Sequence, residues 1–433
     1  MPLSGLKMKS EHKAKLEKVC DITFRYSWRD TGASVYKIKN GKVDYYFLEN
    51  HYYFDRPVLY GEADDGERFA FFSMAVVEFM LQTGNIPDIL HANDWQSALT
   101  IIYLKTKYSY NESLSRIRTV FTIHNIEYQG KFDIASIEDI FALEGFCNVV
   151  EYDGCINLMK GALAVSDYIT TVSPNYAHEL HHDFFAFGLA DIINKVDVKL
   201  KGVINGIDYK YFSPETGGEI YRSYGINDLN EGKKENKLAL QKEVGLPEYP
   251  DVPLVVMITR LASQKGIDLV IRILDELLEE NMQFIILGTG EAEYEEFFRQ
   301  AEKRHSNMKA LIKFDRVISK KMYAGADIFL MPSKSEPCGL AQMICCSYGT
   351  VPVVRSVGGL YDSIIPYNAP NSNGFRFDNY NAHELLFATK KALALYLEED
   401  KWNSLVLRAK TSDFSWDVSA TEYMKIYNKL LNW

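Results

Sequence analysis

DIFLMPSKSEPCGLAQMICCSYGTVPVVRSVGGL, residues 327–360, holds in one stretch the pattern that decides the fold. A short apolar run ends in a polar turn carrying Glu336, Pro337 stops the chain from continuing straight, and a helix follows from Gly339-Leu340. A second β-branched run, TVPVVRS (350–356), then ends in Gly358-Gly359. Strand, turn, helix and strand in this order predict parallel strands with crossover helices.

Upstream of it in the same register stand LVVMITRL (254–261), MQFIILGTG (282–290) and MKALIKFD (308–315). An earlier series comprises DILHAND (88–94), RTVFTIHN (118–125), YITTVSP (168–174) and LKGVINGI (200–207). Between the series, residues 206–250 concentrate Pro, Gly, Asn and charge, with a helix expected over 236–246. The fold class predicted is α/β: two doubly wound parallel-sheet domains in tandem, the first over 1–205, the second over 206–411, and a terminal segment, 412–433. That last segment places Tyr423, Ile426, Tyr427, Leu430 and Leu431 at helical spacing. A chain of 433 residues agrees with two cores rather than one.

Composition narrows the function. Hydrophobic residues at 47% and charged residues at 24% are ordinary for a globular chain, while 28 Tyr and 24 Phe are many. A net charge of −10 argues against sequence-independent binding to nucleic acid or to an anionic membrane, which needs cationic surface. No apolar stretch has the length of a membrane span, and the first residues lack the apolar core of a signal peptide, so the expected location is cytoplasmic. The six cysteines form no C-x-x-C pair and are expected as reduced, packed thiols.

Ligands of open α/β sheets bind beyond the carboxyl ends of the strands, and in two facing domains the cleft between them is the expected site. Arg260 and Lys265 follow one strand, where two cations can neutralise a diphosphate leaving group or simply form a solvated pair. Gly288 and Gly290 permit a close backbone approach to phosphate, but Glu291-Ala292-Glu293 replaces the third glycine of a dinucleotide fingerprint, which counts against an oxidoreductase. Glu336 reads either as an acceptor for sugar hydroxyls or as a helix-capping acid. His124 ends an apolar strand and is followed by Asn125, Tyr128 and Gln129; it reads as a structural residue or as part of a sugar-binding cluster. Asp94-Trp95, Asn205-Gly206 and Asp208 stand at equivalent strand ends, and Gly358-Gly359 fits a second close approach to a ligand. His181, His182 and Asp183 read as an exposed loop, since neighbouring residues rarely chelate one metal ion.

Eight motifs occur in order: HANDWQ, IHNIEYQG, TVSPNYAHEL, VINGIDYKYFSP, TRLASQKGIDL, YAGADIFLMPSKSEPCGLAQ, YGTVPVVRSVGGLYD and FSWDVSATEYMKIY. With them the chain closely resembles bacterial glycogen synthases and plant starch synthases, nearly from end to end. The resemblance implies a GT-B fold whose final helix crosses back onto the first domain. It implies retaining transfer of glucose from ADP-glucose to the non-reducing end of an α-1,4-glucan, with no metal and no other cofactor. Carried over by position, Arg260 and Lys265 hold the diphosphate. Glu336 and the Cys338, Gly339 and Leu340 amides hold the glucose hydroxyls and phosphate, and Gly288 nears the nucleotide. Asp94, His124 and Asn125 face the transferred glucose, and Asn205 lies near the hinge. The second glutamate of neighbouring transferase families is replaced by Ile344.

One departure stands out. The family's early strand and Lys-x-Gly-Gly-Leu loop find no counterpart, and Ser4-Gly5-Leu6-Lys7 lies in the wrong context, so weak or absent elongation by the chain as given is the expectation. A transferase using UDP-glucose and a non-catalytic glucan-binding remnant are the competing readings.

Overall fold

A computed structural model describes residues 1–3 and 8–432. Two compact units emerge. The first comprises Met1–Thr171, Leu180–Lys201 and Lys425–Trp433, and the second Val172–Glu179 and Gly202–Met424. The chain therefore passes between units more often than a single break would allow. The short helix Pro174–Glu179 and the start of the terminal helix group with the second unit.

In the first unit a four-stranded sheet runs in the order Leu200–Gly202, Tyr168–Thr171, Arg118–Ile123, Ile89–Asn93. Arg118–Ile123 pairs in parallel with both of its neighbours. Its Val120, Phe121 and Ile123 are fully buried, which a strand covered on both faces requires. The helices Trp95–Lys105 and Leu158–Val165 pack together beside it. A separate three-stranded antiparallel sheet, Glu17–Tyr26, Arg29–Asn40 and Val43–Glu49, precedes all of this. On its first strand Ile22, Phe24 and Tyr26 point inward while Asp21, Thr23 and Arg25 point out. Phe24 and Tyr26 meet Phe71 of the helix Asp65–Thr83 at 5.5 and 6.2 Å between ring centroids.

The second unit carries a six-stranded sheet in which every neighbouring pair is parallel. Its order is Met308–Leu311, Gln283–Leu287, Leu254–Ile258, Ile328–Met331, Val351–Arg355, Phe375–Phe377. Numbered along the chain this is 3-2-1-4-5-6, the doubly wound order, whose switch point lies between Leu254–Ile258 and Ile328–Met331. All nine strands expected from the two series are present. The linker helix is longer than expected, Leu229–Val244, and ends on Gly245 at φ 74°. Its Lys237 is 2% exposed and paired with Asp327 at 2.6 Å. Asp327 also accepts from the Leu254 amide, so one buried carboxylate ties the helix to the first strand of the sheet.

The terminal helix is Trp416–Leu431. Of the five apolar positions expected to pack, Ile426 and Leu430 are buried and Leu431 is 51% exposed. Tyr427 places its hydroxyl 2.7 Å from Nδ1 of His91, whose Nε2 lies 2.5 Å from the Thr122 hydroxyl. No helix among the described residues is long and apolar enough to cross a membrane.

Burial, helped by nearby His124, lowers the pKa of His91 from 6.5 to about 4. A depressed histidine favours folding above its unfolded value, and that stability is lost as pH falls through the folded value. Between pH 7 and pH 4 the chain should lose about 3 kcal/mol through His91. Urea titrations at both pH values should show a His91→Gln variant lacking that part of the acid sensitivity.

Candidate active site

At the switch point of the second unit two turns leave the sheet side by side. The turn after Leu254–Ile258 carries exposed Arg260 and then Lys265, which closes the short helical turn Ser263–Lys265. The turn after Ile328–Met331 carries Ser333 and Glu336. Lys265 Nζ lies 2.7 Å from Glu336 Oε2, and the Ser333 hydroxyl donates to the same oxygen at 2.9 Å. Glu336 is only 7% exposed. Its carboxylate thus serves a cation and a hydroxyl from two strand ends, and the helix-capping reading fails.

The helix that follows begins at Ala341 rather than at Gly339. Gly339 sits at φ 71°, a conformation that favours glycine, and Leu340 is 46% exposed. Cys338 is buried and takes a hydrogen bond from the Asn205 backbone; burial pushes its thiol up to about 12. Asn205 and Cys338, far apart in sequence, therefore meet within this unit.

The glycines do something the sequence did not reveal. A Cβ on Gly288 would stand 1.8 Å from the Thr259 carbonyl oxygen, and one on Gly290 2.1 Å from that of Leu261. The Gly288 amide donates to the Leu311 carbonyl and that of Gly290 to the Glu295 carboxylate, so both donors are already committed. A Cβ on Gly358 would stand 2.0 Å from the Glu336 carbonyl oxygen. The close approach expected at Gly358-Gly359 is thus of backbone to backbone.

The first unit presents a second cluster past Ile89–Asn93 and Arg118–Ile123. Asp94 adopts φ 55°, ψ 179°, a region almost reserved for glycine, where a side chain costs on the order of 1–3 kcal/mol. Its Oδ1 accepts from the His124 amide at 2.8 Å. Burial raises the Asp94 pKa, opposed by His124 and by the backbone amides of His124 and Asn125. His124 Nε2 lies 2.9 Å from Asn93 Oδ1. Asn125 Oδ1 accepts from the Glu127 amide, and Tyr128 is 53% exposed.

Two neighbours leave the cluster. Gln129 is buried, donating to the Phe187 carbonyl and accepting from Asn157, so it is structural. Trp95 packs against Phe69 and Phe132 rather than offering a sugar face. His181 engages Asn194 and Asp197, and among the described residues no group of three or more His, Cys, Asp or Glu side chains is placed to hold a metal ion.

Sequence reasoning missed Ser333 and Asn93, polar neighbours that only the fold assigns to Glu336 and His124. It also missed Phe314, which is 80% exposed just beyond Met308–Leu311. An aromatic ring standing in water at a strand's carboxyl end was a legible signal, since such rings are ordinarily buried.

Comparison with known proteins gives the family. Residues 1–195 match the starch synthase catalytic domain and residues 241–404 match glycosyl transferases group 1. A glycogen synthase of Geobacillus thermodenitrificans is 41% identical over 427 residues, 97% of this chain and 88% of the relative. That of Alkaliphilus metalliredigens is 42% identical over 96% of this chain and 89% of its own length. The catalytic domain of starch synthase IV from Arabidopsis thaliana, solved bound to ADP and acarbose, superposes with a TM-score of 0.88 at 33% identity, covering 96% of this chain and 89% of that one. A sucrose-phosphate synthase from Thermosynechococcus elongatus, at TM-score 0.58 and 18% identity, shares the fold alone. The chain belongs to the glycogen and starch synthase family, and is a retaining glycosyltransferase with that family's GT-B fold.

Proposed function

We propose that this enzyme transfers glucose from ADP-glucose to the 4-hydroxyl at the non-reducing end of an α-1,4-glucan. The observation that carries this assignment is the Lys265–Glu336 pair at the switch point, with Arg260 exposed in the same turn as Lys265. Transfer from a nucleotide sugar separates charge: an oxocarbenium-like sugar leaves an anionic diphosphate. Preorganised cations lower that barrier most, because they need no reorientation when the charge develops.

Arg260 and Lys265 meet the diphosphate, together with the backbone of Cys338, Gly339 and Leu340. Glu336, oriented by Lys265 and Ser333, accepts hydroxyls of the donor glucose. Gly288 and Gly290 hold the strand ends together beneath the nucleotide, and Phe314 offers its face to the base. On the first unit Asp94, His124, Asn125 and Tyr128 serve the transferred glucose, with Asn205 tied to Cys338. The two cations supply the charge that a metal ion supplies in other transferases, so we assign the reaction no metal. ADP is favoured over UDP because the superposable starch synthase was solved with ADP. A nucleotide-sugar donor and a glucan acceptor are compatible with a cytoplasmic enzyme, the location we assign.

Replacing Lys265 by Ala removes a donor aimed at the leaving group. It should lower kcat by about 10²–10³-fold with the glucan KM unchanged. Initial rates of glucose incorporation at varied ADP-glucose and glucan would show this, and an unchanged kcat would remove Lys265 from the chemistry. Calorimetric titration should show tighter binding of ADP-glucose than of UDP-glucose; the reverse order overturns the donor.

Asp94 permits a test that opposes stability to activity. A carboxyl with a raised folded pKa stabilises the fold while protonated, and that contribution is lost as pH rises through the folded value. Holding Asp94 ionised is therefore a burden on the fold. Asp94→Asn keeps the acceptor for the His124 amide, so its Tm at pH 7 should rise while turnover falls by about 10²-fold. A melting curve paired with an elongation assay checks both.

A further inference from the structure

Glu179 closes the helix Pro174–Glu179, well outside the residues assigned above, yet it is 8% exposed in the second unit. Its Oε1 accepts the Gly358 amide at 2.8 Å and the Asn175 side-chain amide at 2.8 Å. Its Oε2 is buried and takes no hydrogen bond among the described residues. Asn175 in turn donates its backbone amide to Asp362, so both ends of the short helix Gly358–Ser363 are held by 175–179.

The turn that Glu179 grips lies on Glu336. The Gly359 amide donates to the Glu336 carbonyl at 3.1 Å, and any Cβ at Gly358 would collide with that oxygen. The connection from Glu179 is therefore short: carboxylate to Gly358 amide, glycine pair to Glu336 carbonyl. A half-satisfied carboxylate is costly to bury, so stability alone does not explain it. One carboxyl oxygen shared by the Gly358 amide and the Asn175 side chain does fix the turn against the helix end, which suits a part whose task is to fix position.

We propose that Glu179 is a positioning residue for transfer, setting the Gly358-Gly359 turn and through it the placement of Glu336. Glu179 has this role only if Glu336 serves the donor glucose, as assigned above, and the variants separate the two. Glu179→Ala should lower kcat by about 30-fold with the glucan KM unchanged. Glu179→Gln, whose carbonyl still accepts the Gly358 amide, should melt higher than the parent yet recover kcat only to within about fivefold of it. A purely structural clamp would not gain Tm while losing turnover.

The double variant Glu179→Ala/Glu336→Gln should be no slower than Glu336→Gln alone within about threefold, because the two residues act as one unit. Losses that multiply overturn the route through Glu336, and so does a Glu179→Gln enzyme as slow as Glu179→Ala. Parent-like kcat in Glu179→Ala beside an impaired Glu336→Gln overturns the role of Glu179 and leaves the site assignment standing. Parent-like kcat in Glu336→Gln overturns that assignment itself. Should Glu179→Ala fail to fold, Glu179→Asp decides: its shorter reach should cost about tenfold in kcat, and a parent value rejects the role.

Discussion

Backbone lies on backbone where the strands of the second unit end, and the placement of Lys265 and Glu336 follows from it. The Thr259 carbonyl fills the space where a Gly288 side chain would begin, and the Glu336 carbonyl does the same at Gly358. Neighbouring turns can then leave the sheet in contact. Lys265 from one and Glu336 from the next come within 2.7 Å, and a pair held this way is already organised when a ligand arrives. With side chains at 288 or 358 the turns would separate and the pair would lose its geometry.

The first unit reaches its end through strain and burial. Asp94 occupies a backbone region that disfavours any side chain, and burial resists its ionisation. Both costs are borne at the point where His124 and Asn93 converge. Such costs are found together where function outweighs stability. In the second unit Lys265 is paired with Glu336, and Lys237 with Asp327.

Much of this was legible beforehand. Continuous apolar runs ending in polar turns located nine strands of the two larger sheets, because such strands are buried on both faces, while the short edge strand Phe375–Phe377 escaped. Arg260, Lys265 and Glu336 were identified by their place after those strands. What escaped depends on contacts across the chain. Alternation in VCDITFRY was there to be read as a half-buried strand, with Ile22, Phe24 and Tyr26 inward, but it does not resemble the runs of the parallel sheets. The glycines were taken for ligand approach because glycine alone does not show what comes near it; Thr259 and Glu336 are identified only by the fold. Glu179 and Ser333 were silent for the same reason.

The thiols carry a consequence for the life of the enzyme under oxidants. Peroxides attack thiolate rather than thiol. With its pKa pushed up to about 12, Cys338 is ionised on the order of once in 10⁵ molecules at pH 7. Cys345 and Cys346 are fully buried beside it on the following helix. Cys20, Cys147 and Cys155 are partly exposed and lie in the first unit. Oxidative wear therefore falls first on the partly exposed thiols, and the buried Cys338, Cys345 and Cys346 are the last to be oxidised.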